Sequence, residues 1–341
     1  MQIQQNISLK NYNTLWVDAK AKFFVIVKSE EEILELIQSN IWKENKRFVL
    51  WGWANTLFQS DFDGLIVKNQ IMWKEIIDQN DKQVLLQVWA GEDWPEFVDR
   101  CVSQNYGWIE NLALIPGCVW AAPIGNIWAY WVEVKDIIHQ VRWINIDTGD
   151  IQIFDNSECQ FGYRDSIFKK QYKDKILVTH VIWDLTKANT DYIFNIDYAD
   201  IKRKIDQWNI NIAKLTVKDV ADMISEIRNG KLPDWKKIWT AGSFFKNPVV
   251  SKQNFEQLKT RYDNLLWFDF EWEIKLSAWQ LIEMAGFKWV KENKVGTYQY
   301  HALVIINQWW SWQDIVNFAN QIQNKVQEMF GVSLEAEVNY V

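Results

Sequence analysis

The chain has 341 residues, 48% of them apolar and 24% charged, with 44 acidic against 37 basic side chains and a net charge of −7. That is enough chain for two or three domains with cores of their own, and an acidic balance without a Lys/Arg block excludes a surface made for nucleic acid or anionic lipid. No apolar run is long enough to span a membrane and Met1 to Asn13 lacks the apolar core of a signal peptide, so a cytoplasmic protein is expected.

In chain order, residues 23–27 read as a buried strand, followed by a helix opened by Ser29 with Glu32 three residues on. That pairing is a capping box, and Ile33, Leu34, Leu36 and Ile37 give the helix its apolar face. Strands at 47–50 and 65–67 flank a polar loop at 51–55. A second α/β stretch follows: a strand at 84–88, a helix at 96–103, a loop-rich segment from Glu110 to Asp136, and strand-like runs at 151–154 and 176–181. Past residue 200 the texture changes to a separate α+β region. Thr216 and Asp219 cap a helix carrying Val220, Met223, Ile224 and Ile227 that Gly230 stops. Helices at 254–262, 278–285 and 313–330 follow, the last two stopped by Gly286 and Gly331, with a strand at 302–306. Cys101, Cys118 and Cys159 are too widely spaced for a metal motif or a disulfide framework.

The chain carries 23 Trp but only 13 Gly. Many of the Trp fall in turn contexts such as Trp51-Gly52-Trp53-Ala54-Asn55 and Trp128-Ala129-Tyr130-Trp131, where the backbone needs a positive φ or close approach to a ligand. Indole suits neither demand. One reading is that glycine belongs at many of these positions, as when a UGA codon read as glycine at its source is written as tryptophan. The other is a non-catalytic carbohydrate-binding protein with real Trp stacking platforms. Clustering in glycine-like loops rather than along exposed strands favours the first.

Five segments carry a family resemblance. They are Leu50-Trp51-Gly52-Trp53-Ala54-Asn55-Thr56-Leu57-Phe58, the stretch from Glu110 to Glu133 with Ile115-Pro116-Gly117 and Ala121-Ala122-Pro123 inside it, Phe161-Gly162-Tyr163-Arg164-Asp165-Ser166, Ala241-Gly242-Ser243-Phe244-Phe245-Lys246-Asn247-Pro248, and Leu334-Glu335-Ala336-Glu337-Val338. In this order they resemble motifs of the UDP-N-acetylenolpyruvoylglucosamine reductase (MurB) family, and the resemblance runs from Asn13 to the last residue. Trp16, Trp51, Trp53, Trp73, Trp89, Trp108, Trp120, Trp128, Trp131, Trp272, Trp279 and Trp289 fall on that family's glycine positions, whereas Trp94 falls where Trp itself is accepted.

The resemblance implies a mixed α+β and α/β fold. Its FAD-binding region is in two parts, of the PCMH (vanillyl-alcohol-oxidase-like) type, at 1–69 and 70–200. A C-terminal α+β substrate domain follows at 201–341, its last residues returning to the active site. The implied reaction is NADPH-dependent, FAD-mediated reduction of UDP-N-acetylglucosamine enolpyruvate to UDP-N-acetylmuramate, by a monomer without a metal. The implied FAD contacts are Trp51, Gly52, Trp53, Ala54, Asn55, Thr56, Pro116, Gly117, Ala121, Ala122, Asn126, Trp128 and Ala129. Arg164 would hold the substrate carboxylate and spread charge in an enolate-like transition state. Glu337 would polarise that carboxylate from the other side, and Ser243 would protonate the α carbon as general acid, with Lys246 nearby. Tyr198, Lys231 and Asn247 sit where the family holds the UDP-sugar, and Tyr163 is expected near the nicotinamide or substrate by its adjacency to Arg164.

Each assignment has a plainer rival: a surface ion pair for Arg164, a turn cap for Ser243, a solvated charge for Lys231, and Glu335 in place of Glu337. Glu337 is chosen because the family's glutamate directly precedes Val. Asn339 replaces a basic residue and Ala336 a Pro, changes expected to weaken the packing of that strand. A different FAD sugar oxidase of the same architecture stays open; no covalent flavin attachment site is visible, and the Ser243 segment argues against it.

Overall fold

The computed structural model describes residues 1–50, 55–189, 191–292, 294–308 and 311–341. They form two compact units.

The first unit comprises the described residues of Met1–Ile7, Ala21–Gly52 and Asp63–Arg228. One sheet orders its strands Ile3–Ser8, Lys20–Val27, Phe62–Asn69 and Lys46–Leu50, the last two parallel. The helix Glu30–Gln38 is started as its sequence requires: Ser29 Oγ accepts the Glu32 N–H at 3.2 Å. The return bond reaches one residue further back, from the Lys28 N–H to Glu32 Oε2 at 2.7 Å. A second, antiparallel sheet runs Ile151–Asp155, Ile138–Asn145, Ile176–Lys187, Gln83–Trp89, Lys74–Gln79. Its central strand continues past the expected end at 181 because Trp183 and Leu185 alternate into the core. The helix Trp94–Ser103 starts two residues before the expected 96, since Asp93 caps the Glu96 N–H at 3.1 Å and Pro95 is tolerated in the first turn.

Helices Ala199–Trp208 and Val217–Lys231 bury Ile201, Ile205, Val220, Met223, Ile224 and Ile227 in this first core, so the unit extends to Arg228, beyond the expected 200/201 boundary. Thr216 and Asp219 form the expected reciprocal box at 3.1 and 2.9 Å. Gly230 does not stop the helix, which runs on to Lys231.

The second unit comprises the described residues of Ser8–Lys20, Trp53–Phe62 and Asn229–Val341. Its main sheet orders Trp239–Ser243, His301–Asn307, Val295–Tyr298 and Lys291–Glu292, all antiparallel. Leu281, Ile282, Ile305, Ile315, Phe318 and Ile322 share one core with Phe244 and Phe245. The helix expected at 278–285 is regular only over Ala278–Ile282 and ends in a π turn, Glu283–Phe287, where Gly286 takes φ = 92°. Trp312–Phe330 ends at Gly331, in the left-handed cap expected of it. A parallel pair, Thr56–Leu57 with Asn339–Tyr340, sets Thr56 beside the C-terminal strand. Among the described residues no helix is long and apolar enough to cross a membrane.

Candidate active site

In the first unit, the segment after Glu110 is a run of short turns rather than a regular element. Gly117 has φ = 138° and open space where a Cβ would stand, a conformation and a clearance that suit a backbone cradle. Ala121–Gly125 is a five-residue helix ended by Asn126 at φ = 43°. The Asn126 side chain is fully engaged: Nδ2 donates to Glu133 Oε2 at 2.6 Å and to the Gly162 carbonyl at 2.9 Å, and Oδ1 accepts the Lys135 N–H at 3.1 Å. It therefore ties the 126–135 loop to the turn that carries Arg164. That turn is closed reciprocally between Gly162 and Asp165 at 3.0 and 3.2 Å, with Tyr163 and Arg164 at its tip. Arg164 takes φ = 53°, and Lys169 Nζ donates to its carbonyl at 3.2 Å. Burial pushes its guanidinium below the usual arginine range, but an arginine so placed stays cationic.

Tyr198 caps no backbone group but packs edge-on against Tyr130, ring centroids 5.0 Å apart. Arg228, which sequence reasoning missed, donates to the Leu114 carbonyl at 3.4 Å and also hydrogen-bonds Tyr130, while its buried Nε has no partner among the described residues. The available signal was a charge one turn after Ile224 on an otherwise apolar stripe.

Glu110 is fully buried, accepts the Tyr192 hydroxyl at 2.8 Å, and burial pushes its pKa up to about 7. An acid raised in the native state holds a proton the unfolded chain has lost, so stability falls as pH rises from the ordinary glutamate range to about 7. Glu110→Gln is expected to remove that loss, raising unfolding free energy by about 2–3 kcal/mol at pH 8 and little at pH 4. Urea unfolding at both pH values checks this; an equal shift at both would refute it.

In the second unit, Gly242 at φ = 81° leads into Ser243, and the fully buried Phe244 and Phe245 fix the backbone that follows. The C-terminal segment runs antiparallel to this one. The Lys246 N–H donates to the Glu335 carbonyl at 2.9 Å and the Glu337 N–H to the Phe244 carbonyl at 2.8 Å, with Phe245 bridged to Ala336. The structure thus brings the Ser243 and Glu337 segments together. Lys246, expected to assist the serine, pairs its ammonium with Glu335. Asn247 Oδ1 accepts the Ala278 N–H at 2.9 Å, the first N–H of the helix Ala278–Ile282. Lys231 is exposed at the end of its helix, and its charge adds to the burial that lowers the His301 pKa to about 4.

Asn55 takes φ = 64°, and its Oδ1, like Thr56 Oγ1, is buried without a hydrogen-bond partner among the described residues. Trp51, Gly52, Trp53 and Ala54 lie outside the described residues. The orphaned Asn55 Oδ1, an acceptor, fits a hydroxyl donor such as a ribose of a flavin dinucleotide, and the orphaned Thr56 hydroxyl can donate to one of its phosphate oxygens. Among the described residues no group of acidic, His and Cys side chains is arranged to hold a metal. The Cys118 and Cys159 thiols are pushed up to about 12 by burial, which suits packing rather than nucleophilic work.

Four of the indoles sit on a left-handed backbone. Trp16, Trp108, Trp131 and Trp289 are held at φ = 56°, 70°, 65° and 50°, which costs an L side chain about 1–2 kcal/mol each. Trp89 Nε1 is buried with no hydrogen-bond partner among the described residues. Trp94, in contrast, donates to the Leu112 carbonyl at 3.0 Å.

Comparison with known proteins shows the family. A family model described as UDP-N-acetylenolpyruvoylglucosamine reductase, C-terminal domain, matches residues 233–341, and one described as FAD binding domain matches residues 21–155. The chain is 41% identical over the whole of both sequences to a UDP-N-acetylenolpyruvoylglucosamine reductase of Flavobacterium johnsoniae. It is 38% identical to that of Aliivibrio fischeri, covering all of this chain and 95% of the relative. In fold it resembles the crystal structure of the Thermus caldophilus reductase, with a TM-score of 0.69 at 19% identity over 100% of this chain and 99% of that one.

Proposed function

Because the chain belongs to the UDP-N-acetylenolpyruvoylglucosamine reductase (MurB) family, we propose that it reduces the enolpyruvyl ether of UDP-N-acetylglucosamine to UDP-N-acetylmuramate, in the cytoplasm and as a monomer. It is an FAD-dependent oxidoreductase of peptidoglycan precursor synthesis, with NADPH as reductant. The observation that carries this reading is full-length identity of 41% to a reductase of that name, with the family's Ser243 and Glu337 segments joined by backbone hydrogen bonds.

FAD, when bound, supplies hydride transfer; the protein supplies position and charge. Asn55, Thr56, Pro116, Gly117, Ala121, Ala122 and Ala129 would hold it, and Asn126 would contribute by fixing the loop. Arg164 meets the substrate carboxylate with a planar fork of donors and stabilises the negative charge that develops beside it. Glu337 polarises the same carboxylate. Ser243 gives its hydroxyl proton to the α carbon. Tyr198, Lys231 and Asn247 bind the UDP-sugar, with Tyr163 near the nicotinamide or substrate. Anaerobic incubation with NADPH and the enolpyruvyl substrate is expected to consume NADPH with a product two hydrogens heavier. NADPH consumption that instead follows oxygen and yields peroxide would favour the oxidase reading and overturn this one.

The native polypeptide, in this proposal, carries glycine at 16, 51, 53, 73, 89, 108, 120, 128, 131, 272, 279 and 289. The four left-handed indoles support it, as does the hydrogen-bonded Trp94 at a position where Trp is accepted. Peptide mass spectrometry across residues 114–135 of the native protein tests it. Glycine masses at 120, 128 and 131 are expected; indole masses at all three would overturn the substitution and favour a Trp-bearing carbohydrate-binding relative.

A further inference from the structure

Asn339 stands where the family resemblance leads one to expect a basic residue, and the structure gives the asparagine a specific hold. Its backbone N–H donates to the Asn55 carbonyl at 3.0 Å, and its side-chain Nδ2 donates to the same oxygen at 3.2 Å. Asn55 answers with its own Nδ2, which donates to the Glu337 carbonyl at 3.1 Å. The ladder continues from the Val341 N–H to the Leu57 carbonyl at 3.0 Å and from the Gln59 N–H to the Val341 carbonyl at 2.7 Å. Glu337 is therefore held on one side by the Phe244 carbonyl of the Ser243 segment and on the other by Asn55. Asn55 is also the residue whose buried Oδ1 is unpaired among the described residues, next to the equally unpaired Thr56 Oγ1. One left-handed residue thus keeps a buried, unpaired side-chain oxygen while its carbonyl and amide nitrogen hold the glutamate strand.

We infer that Asn339 is a positioning residue for Glu337: by clamping the C-terminal strand to the Asn55 carbonyl, it couples dinucleotide binding at Asn55–Thr56 to placement of the glutamate. The inference rests on the reductase reading for the role of Glu337, but the coupling itself does not need turnover. A ligand that fixes the left-handed geometry of Asn55 presents its carbonyl to Asn339, and docking of Asn339 favours the same geometry for the ligand. Linkage makes the effect reciprocal: whatever factor FAD contributes to docking of the strand, the docked strand contributes to FAD affinity.

The test compares the native full-length holoenzyme with Asn339→Ala and Asn339→Thr, the second retaining strand propensity while removing the amide donor. FAD release on dilution is read by recovery of flavin fluorescence, and hydrogen exchange is read at the amides of residues 337–341. Loss of one hydrogen bond is expected to weaken FAD binding about fivefold and lower kcat by a similar factor. The substrate KM and the thermal midpoint stay near wild type, and exchange at residues 339 and 341 rises in both variants. Unchanged FAD affinity and unchanged exchange in Asn339→Thr would overturn the coupling. If Asn339→Ala fails to fold, Asn339→Thr alone decides. If the wild type turns over no enolpyruvyl substrate yet both variants loosen FAD, the coupling stands and the reductase reading falls. Wild-type turnover with no change in either variant does the reverse.

Discussion

Replacing Arg164 by Ala is expected to lower kcat about a thousandfold while FAD stays bound. The estimate follows from what one preorganised donor contributes to charge developing in a water-poor site, about 10²–10³, with the loss of a full cation placing it at the upper end. The side chain stands at the tip of a turn closed at both ends by the Gly162–Asp165 pair, so the turn does not depend on the guanidinium for its shape. The backbone at φ = 53° adds a modest cost common to Ala and Arg, which keeps the comparison fair. Arg164→Lys separates charge from geometry: it keeps a cation but loses the planar fork, and about a tenfold to hundredfold loss is expected. The measurements are steady-state turnover, flavin absorbance of the purified protein, and the rate at which NADPH bleaches the bound flavin, which neither variant should change. Turnover of Arg164→Ala within threefold of wild type would remove its role at the substrate carboxylate. Loss of flavin in both variants would make it structural.

What could be read from the chain before folding was local. Ser29 with Glu32 and Thr216 with Asp219 signal helix starts because both partners lie within four residues, and both starts are present. Gly331 signals a stop because the residue's own φ is the signal. Gly230 misleads for the same reason: a glycine permits an end without requiring one, and the helix runs to Lys231. The assignment of helices Ala199–Trp208 and Val217–Lys231 to the first core was not legible, since an apolar stripe of Ile201, Ile205 and Ile224 says that a face is buried but not against what. In the site, the motif residues could be located one by one, but not their engagements. Asn126 reads as a ligand contact, yet its side chain is taken up by Glu133, Gly162 and Lys135. Lys246 reads as a helper of Ser243, yet it pairs with Glu335. Asn339 reads as a weakening of its strand. Its partner lies 284 residues away, and the rest of that pairing uses backbone groups that any residue carries, so no local pattern could announce it.

Ser243→Ala is expected to separate the two halves of the reaction. Removing a positioned general acid costs about 10²–10⁴ in the step that uses its proton and nothing in steps that do not. Bleaching of the flavin by NADPH should therefore proceed at the wild-type rate, while reoxidation by the enolpyruvyl substrate slows by two orders of magnitude or more. Alanine is a fair replacement at this position. The backbone there is fixed by its neighbours: Gly242 supplies the left-handed turn before it, and the Phe244 N–H donates to the Leu303 carbonyl at 2.9 Å after it. The two buried phenylalanines that follow anchor the segment to the core of the second unit. A solvent-derived deuteron at the α carbon is expected in the product of the wild type run in D₂O, with a solvent isotope effect on kcat that Ser243→Ala loses. Ser243→Cys supplies a more acidic group at the same point and should recover part of the rate. Reoxidation of Ser243→Ala at a rate within threefold of wild type would remove the general-acid role and leave Ser243 as a turn residue. The proton would then have to come from a group that this serine only orients, and Ser243→Cys would show no recovery over Ser243→Ala.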